Sequence, residues 1–291
     1  MRRLCFALLL IASCAAFASA QDEKKIACYV SPKTTESFKK KLWDGYEISL
    51  GPARNAAETD GGDCTAAIYN AAGKVVFRTT GFGVIFDEEH TGMDFDGDGK
   101  GEVVFITDEA GGAHCCWVYN VVTLVPKPQK LFDVGEGAAV DFVKEKDGRM
   151  VIWQRVGGPG AFTSGMERPF AEQALRLKAG RLVDATPEFC AQIFTPGHED
   201  FDEWTRVLTP ENLTKLQGVK KFGYSNSDLD VVVSALLSRA MQRVLCRQYD
   251  EALADLDLWP EGSRDQMKDE FAASVKEFSP EFVERLRAAA K

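Results

Sequence analysis

The chain lacks the residue patterns that most zinc, nucleotide and hydrolase sites require. Its 291 residues include 3 histidines and 8 cysteines, and no two cysteines stand in a C-x-x-C spacing. Structural zinc sites take four nitrogen or sulfur ligands, usually from spaced pairs, so a zinc finger or ribbon is excluded. A P-loop, a Gly-x-Ser-x-Gly elbow, a His-Glu-x-x-His helix and a dinucleotide-binding glycine pattern are also absent from the sequence.

Basic residues are outnumbered by acidic ones. The 35 lysines and arginines face 44 aspartates and glutamates, which gives a formal net charge of −9. Binding to nucleic acid depends on basic surfaces that neutralise phosphates. No basic stripe is visible, so we expect neither a nucleic-acid partner nor attraction to an anionic membrane. An excess of carboxylates suits a protein that binds calcium.

Long apolar runs are absent after the first residues. The chain begins MRRLCFALLLIASCAAFASA, in which two arginines precede an apolar run that ends in the small residues Ala18-Ser19-Ala20. This pattern predicts a signal peptide over residues 1–20 and export to the periplasm or outside the cell. The run is too short to span a bilayer. Ile11-Ala12-Ser13-Cys14 also resembles a lipobox with a lipid on Cys14, but the apolar residues continue past Cys14, which favours ordinary cleavage.

Cleavage after Ala20 would leave an even number of cysteines. It removes two of the eight, together with Arg2 and Arg3 and no acidic residue, so the formal charge becomes −11. Six cysteines in an oxidising compartment favour disulfides, and they allow 15 connectivities. Our first hypothesis pairs Cys28 with Cys64 and Cys190 with Cys246. The six cysteines are Cys28, Cys64, Cys115, Cys116, Cys190 and Cys246.

The first two thirds of the chain have the pattern of β-structure. From Ile26 to about Thr186, short runs rich in β-branched and aromatic residues alternate with turn signals. These signals predict roughly nine to eleven mostly antiparallel strands. One stretch, TESFKKKLWDG at 35–45, has a helical pattern instead. Hairpin turns are expected at Asn70-Ala71-Ala72-Gly73, Asp147-Gly148 and Ala179-Gly180.

The last third has helical periodicity. Thr209-Pro210-Glu211 is an N-cap followed by proline, and Ser227 to Asp230 resembles a capping box before a long apolar face. We therefore predict an α+β protein. It would have a β-rich domain over 21–190, built as a sandwich or a partial propeller, and a helical domain over 191–291.

RQYDEALADLDLWP at 247–260 resembles the second half of a tetratricopeptide unit, but such arrays need about three repeats. An amphipathic core helix is the favoured interpretation.

The stretch MDFDGDGKGEVVF at 93–105 predicts a calcium site. Asp94, Asp96 and Asp98 occupy alternate positions, and Glu102 follows at the ninth. Ca²⁺ takes six to eight oxygen ligands, and alternate side chains in a tightly curled loop converge on one point. An EF-hand would need a bidentate glutamate at position twelve, where this chain has Phe105. A solvated acidic turn without an ion is the alternative.

This loop resembles the calcium loops of FG-GAP and integrin α-chain repeats, in which a β-hairpin holds the ion. The resemblance implies side-chain ligands at Asp94, Asp96, Asp98 and Glu102, a backbone carbonyl ligand at Lys100, and one Ca²⁺ per loop. Glu102 stands where aspartate is usual. The wider stretch 81–125 is similar to exported bacterial (VCBS-type) proteins of unknown function, so it implies a fold and no activity.

Residues 114–116, His-Cys-Cys, have three interpretations. A catalytic Cys115 or Cys116 would need a base, but adjacent strand residues such as His114 and Cys115 point to opposite faces. A redox dithiol would close only a small, strained ring. A structural strand edge, with one cysteine in a disulfide or in the core, is the favoured interpretation.

Three functions follow from these patterns, in order of preference. The first is an exported calcium-binding protein without catalytic activity, which binds or supports an unknown protein or glycan ligand. The second is a hydrolase that uses carboxylates between Asp87 and Glu102 on a glycan, with Ca²⁺ in support. The third is a thiol redox protein that uses Cys115 and Cys116. HEDFDEW at 198–204 is interpreted only as acidic residues at a helix start, which the helix dipole favours.

Overall fold

The structure is a computed structural model that describes residues 27–29, 38–53, 64–108, 117–135, 140–163, 168–219 and 227–289. The predicted signal peptide, with Cys14, lies outside these residues. So does the segment that contains His114, Cys115 and Cys116.

The described residues form thirteen strands followed by seven α-helices, which confirms the α+β class with a mainly β first part. The strands are β1 (Ala27–Tyr29), β2 (Phe38–Lys41), β3 (Glu47–Pro52), β4 (Cys64–Tyr69), β5 (Val75–Gly81), β6 (Gly83–Asp87), β7 (Val103–Asp108), β8 (Trp117–Thr123), β9 (Gln129–Val134), β10 (Val140–Lys144), β11 (Met150–Gly157), β12 (Phe170–Lys178) and β13 (Arg181–Asp184). The helices are α1 (Cys190–Ile193), α2 (Glu199–Val207), α3 (Pro210–Gln217), α4 (Ser227–Leu245), α5 (Tyr249–Asp257), α6 (Arg264–Val275) and α7 (Pro280–Ala289).

Among the described residues, the strands form three antiparallel sheets in chain order. The first sheet is β2-β3-β4-β5, the second is β1-β6-β7-β8-β9, and the third is β10-β11-β12-β13. Each sheet contains four consecutive strands joined as a meander, and β1 is added at the edge of the second. A four-stranded meander is the repeating unit of β-propellers, but closed propellers have four to eight such units. The described residues hold three.

The expected hairpins are present, and one local prediction was wrong. The turns at Asn70–Gly73, Asp147-Gly148 and Ala179-Gly180 join β4 to β5, β10 to β11 and β12 to β13. Residues 35–45 had a helical pattern, yet Phe38–Lys41 is strand β2 and only Trp43–Gly45 forms a short 3₁₀ turn. Pairing of β2 with β3 overrides the weak local helical preference.

The second sheet is buried on both faces. Val103 and Phe105 of β7 pack into a core shared with the first sheet, which includes Ile48. Val104, between them, packs into a second core shared with the third sheet, which includes Ile152. Successive strand residues point to opposite faces, so a strand covered on both sides needs apolar residues at successive positions. This explains the continuous apolar run directly after the acidic loop.

The helices cover one end of the third sheet. Trp153 and Ala171 contribute to a core made mostly of helical residues. Near this core, Phe170 N–H donates to Ser238 Oγ of α4 at 3.0 Å. Glu172 N–H donates to Gln242 Oε1 at 2.8 Å, and Gln242 Nε2 donates to the Glu172 carbonyl at 3.0 Å. Because β13 pairs with β12 only from Leu175 onward, the amide of Gln242 takes the place of a neighbouring strand at Glu172.

The change from strand to helix falls between Asp184 and Cys190. The helical residues nevertheless share a core with β11 and β12, so the division into domains over 21–190 and 191–291 stays a prediction.

Helices α4 and α5 pack against each other, and Arg239 and Arg243 both pair with Asp255. None of the helices in the described ranges has the length and apolarity needed to cross a membrane.

Both predicted disulfides are present. Cys28–Cys64 joins β1 to β4 and therefore the second sheet to the first, with Cα atoms 5.8 Å apart. Cys190–Cys246 joins the start of α1 to the residue that follows α4, with Cα atoms 5.7 Å apart. The second bridge closes a loop over a sequence separation of 56 residues, which ties the segment that follows the third sheet to the longest helix.

Replacing both Cys190 and Cys246 by alanine is expected to lower the free energy of unfolding by about 2–5 kcal/mol, because the unfolded chain regains the freedom of a long closed loop. Urea unfolding of wild type and double variant without reductant measures the difference. Equal unfolding midpoints would contradict a stabilising role for this bridge.

Replacing Gln242 by methionine is expected to lower the free energy of unfolding by about 1–3 kcal/mol. Methionine keeps the apolar stem but leaves the Glu172 N–H and carbonyl without partners. Urea unfolding measures the change, and Gln248→Met, at the N-cap of α5 where no side-chain cap bond forms, is the control. If Gln242→Met lowers the free energy of unfolding no more than the control does, the hydrogen bonds between Gln242 and the Glu172 backbone do not stabilise the edge of β12.

Candidate metal centre

The predicted calcium residues lie in the loop that joins β6 to β7. Asp94 curls this loop, because its Oδ1 accepts a hydrogen bond from Gly97 N–H at 2.7 Å and its Oδ2 accepts one from Gly99 N–H at 3.0 Å. Gly97 and Gly99 have φ of +80° and +82°, a conformation that side chains with a Cβ rarely adopt. The alternation of aspartate and glycine is therefore what lets the loop close on itself.

The next two aspartates continue the curl. Asp96 Oδ1 accepts from Asp98 N–H at 3.1 Å, and Asp98 Oδ1 accepts from Lys100 N–H at 2.7 Å. The two legs of the loop then meet closely, since a Cβ at Gly101 would lie 2.6 Å from the Gly92 carbonyl oxygen. The carboxylates are thus placed by short-range hydrogen bonds to the loop backbone.

Glu102 differs from the aspartates because it is fully buried, with 0 % of its surface exposed. Its Oε2 accepts a hydrogen bond from Phe95 N–H at 2.7 Å. Its Oε1 is inaccessible to solvent and has no hydrogen-bond partner among the described residues. Burial, and then the nearby charges of Asp96, Asp94 and Asp98, raise the pKa of Glu102 to about 7. A buried oxygen without a partner is costly unless something binds it.

Three of the five predicted ligands converge. Asp94, Asp96 and Glu102 each offer an oxygen, and these oxygens all lie within 4.8 Å of one another. The Asp98 side chain lies outside this group, so its role as a ligand stays a prediction, as does that of the Lys100 carbonyl. Such a group of oxygens suits a hard cation, because Ca²⁺ binds carboxylate and carbonyl oxygens at 2.3–2.6 Å.

Phe95 fixes the loop to the core and was not predicted as a site residue. It lies between Asp94 and Asp96 but is only 5 % exposed. Its ring packs edge-on against Phe132 and Phe142, with centroids 5.8 and 4.9 Å away. An apolar residue within an otherwise polar acidic loop was the available signal. Its burial anchors the loop between Asp94 and Asp96, whose carboxylates converge with that of Glu102.

The carboxylates before the loop have local partners. Asp87 accepts hydrogen bonds from the backbone of Glu89 and His90, and its Oδ2 lies 2.6 Å from His90 Nδ1. Glu88 forms an ion pair with Lys40 of β2. The His90 ring in turn packs against Phe142, 4.8 Å between centroids. These groups therefore support the start of the loop.

A cavity of about 520 Å³ lies at the first sheet, away from the loop. Its lining includes Lys39, Tyr46, Glu47 and Tyr69, and none of the residues of the acidic loop. Lys39 already pairs with Glu47 at 3.3 Å. The converging carboxylates are therefore not part of this cavity.

No family model, curated protein or solved structure matched this chain. The resemblance to FG-GAP loops and the resemblance to a tetratricopeptide hairpin therefore stay predictions that rest on the residues themselves.

The pKa of Glu102 predicts how the metal-free protein responds to pH. Between the unfolded pKa of about 4.5 and the folded pKa of about 7, the folded state holds a proton that the unfolded state has released. Stability is therefore highest below this window and falls by about 2–3 kcal/mol as pH rises through it. Glu102→Gln removes the effect. Urea unfolding at pH 5 and pH 8, in buffers stripped of divalent cations, measures it.

The quantity to compare between pH 5 and pH 8 is the difference in unfolding free energy between wild type and Glu102→Gln. The wild type should lose stability relative to the variant between pH 5 and pH 8. A difference that does not change with pH would mean that the Glu102 carboxyl is not held in a desolvated position.

Proposed function

We propose that this protein is an exported calcium-binding protein whose β-rich part is stabilised by one Ca²⁺ in the β6–β7 loop, and that its role is binding or structural support without catalysis. The observation that carries the proposal is the Glu102 carboxylate, which converges with those of Asp94 and Asp96 and whose Oε1 is buried without a partner among the described residues.

A solvated acidic turn explains only part of this arrangement. It accounts for Asp96 and Asp98, which are exposed. It does not account for Glu102, since burial of a carboxylate near three others is unfavourable without a compensating cation. A divalent ion would bind the free oxygen and cancel the repulsion between the carboxylates, so both costs would be removed together.

The position of the loop favours a structural effect of the ion. Glu102 directly precedes β7, whose residues enter the cores on both faces of the second sheet. Phe95, in the middle of the loop, packs in the core shared with the third sheet. An ion that holds Asp94 and Asp96 to Glu102 would therefore fix Phe95 between two sheets.

The geometry gives less support to a glycan hydrolase. Glycosidase carboxyls flank a sugar ring at separations of about 5–9.5 Å and need room for substrate between them. The oxygens of Asp94, Asp96 and Glu102 converge within 4.8 Å, which suits one ion better. Asp87 and Glu88 are engaged by His90 and Lys40.

Export is supported by the two disulfides, which persist in oxidising compartments. The apolar segment at residues 1–20 supports the same proposal. With four cysteines paired, redox chemistry would depend on Cys115 and Cys116, which lie outside the described residues. The ligand is proposed to be a protein or a glycan, since the acidic chain does not favour nucleic acid.

The proposal predicts that calcium raises the thermal midpoint of residues 21–291. A ligand that binds only the folded state adds about 2.7 kcal/mol at a hundred times its Kd, which corresponds to roughly 5–10 °C for a chain of this size. Asp96→Ala should lose most of this response. Asp147→Ala is the matched control, because Asp147 is also an exposed hairpin aspartate whose Oδ1 accepts from a backbone N–H. Differential scanning calorimetry with calcium and with chelator measures the midpoints.

A midpoint that calcium does not change in wild type would reject the ion site. Equal loss of the response in Asp96→Ala and Asp147→Ala would show that the effect does not arise in the β6–β7 loop.

A further inference from the structure

A second group of metal-ligating side chains lies where the third sheet meets the helices. It consists of Glu172 on β12, His198 at the residue before α2, and Asp200 in the first turn of α2. Each side chain offers one ligand atom, and these atoms all lie within 4.8 Å of one another. His198 Nε2 is 3.5 Å from Glu172 Oε2.

Two buried polar atoms of these side chains have no partner among the described residues. His198 Nδ1 and Asp200 Oδ2 are inaccessible to solvent and form no hydrogen bond with the described residues. Burial raises the pKa of both Glu172 and Asp200. The His198 ring already faces Glu172 through Nε2, at 3.5 Å. That contact leaves His198 Nδ1 and Asp200 Oδ2 unsatisfied among the described residues, whereas buried polar atoms normally have partners.

We propose that Glu172, His198 and Asp200 bind a divalent transition-metal ion of the zinc class. One imidazole nitrogen with two carboxylate oxygens is a set that Zn²⁺ accepts at about 2.0–2.2 Å. Ca²⁺ prefers oxygen ligands alone, so this site would differ in ion selectivity from the β6–β7 loop. Three protein ligands leave a coordination position open to water, as in zinc sites that are accessible to solvent.

The charges around the group favour a cation. Glu199 and Glu203 lie near enough to raise the pKa of Asp200, and Arg155 acts on both Glu172 and Asp200 in the opposite direction. Arg155 is the cross-strand neighbour of Glu172, and its guanidinium stacks on the Phe170 ring at 4.2 Å. Four carboxylates against one guanidinium and the His198 imidazole leave the site with excess negative charge, which a divalent ion would reduce.

All three ligands lie on segments that the fold holds in place. The backbone of Glu172 is bound on its open edge by the amide of Gln242. The turn before α2 is closed by Asp202, whose carboxylate accepts from Gly197 N–H at 3.1 Å and whose N–H donates to the His198 carbonyl at 3.0 Å. Ligands on fixed elements make a metal site specific. An ion there would join β12 to α2.

The test uses residues 21–291 with calcium in excess, so that the β6–β7 loop is occupied. We expect isothermal titration to show one Zn²⁺ per chain. Co²⁺, used as a spectroscopic probe, should give visible absorption bands characteristic of a nitrogen- and oxygen-ligated ion. His198→Gln and Asp200→Asn should each weaken Zn²⁺ binding by about tenfold or more. Glu203→Gln is the matched control, because it removes a charge one turn along α2 without removing a ligand, and should stay within about threefold.

Circular dichroism and thermal midpoints establish that each variant is folded. If His198→Gln is not folded, Glu172→Gln is measured in its place. Wild type that binds Zn²⁺ no better than the ligand variants would overturn the proposal and leave the group as an ion network. Zn²⁺ uptake that survives His198→Gln but is lost in Asp96→Ala would also overturn it, because the ion would then lie in the loop. The calcium proposal is tested separately by the midpoints with calcium and chelator.

Discussion

The burial of one carboxylate, Glu102, constrains the loop and the strand that follows it. The side chain lies beneath the acidic loop because β7 begins at the next residue and enters the core on both faces. One of its oxygens bonds the backbone of Phe95, and the other has no hydrogen-bond partner in the part of the chain that the structure describes. The proposed Ca²⁺ would bind that oxygen and neutralise the charge that the packing of β7 forces into the interior. With that ion bound, the loop would connect the second sheet to the third through Phe95.

The rest of the fold is a chain of layers that depend on one another. The second sheet separates two cores, so neither neighbouring sheet is independent of it. The Cys28–Cys64 bridge reinforces the contact between the first and second sheets. At the other end, Gln242 of α4 completes the hydrogen bonding of β12, and the Cys190–Cys246 bridge holds the adjoining segment. The helical part is thereby coupled to the sheet that faces the acidic loop.

Local patterns predicted much of this architecture, since hairpins, caps and apolar periodicity are short-range features. The turn at Asp147-Gly148 and the N-cap at Thr209 are both present. The same reasoning was wrong for Phe38–Lys41, because strand pairing with β3 decides the conformation of so short a segment. It also could not find the group formed by Glu172 with His198, since a strand and a helix start bring together residues that are far apart in sequence. Long-range contacts of this kind leave no spacing pattern.

The most direct test of the account is a calorimetric titration of calcium into chelator-treated protein comprising residues 21–291, beside the Glu102→Gln variant. Glutamine keeps a hydrogen-bond acceptor for the Phe95 N–H but removes the charge and one strong ligand. We predict one Ca²⁺ per chain for wild type and affinity lower by about tenfold or more for the variant. Equal affinity in the two proteins, or no binding to either, would contradict the claim that the buried carboxylate exists to hold an ion.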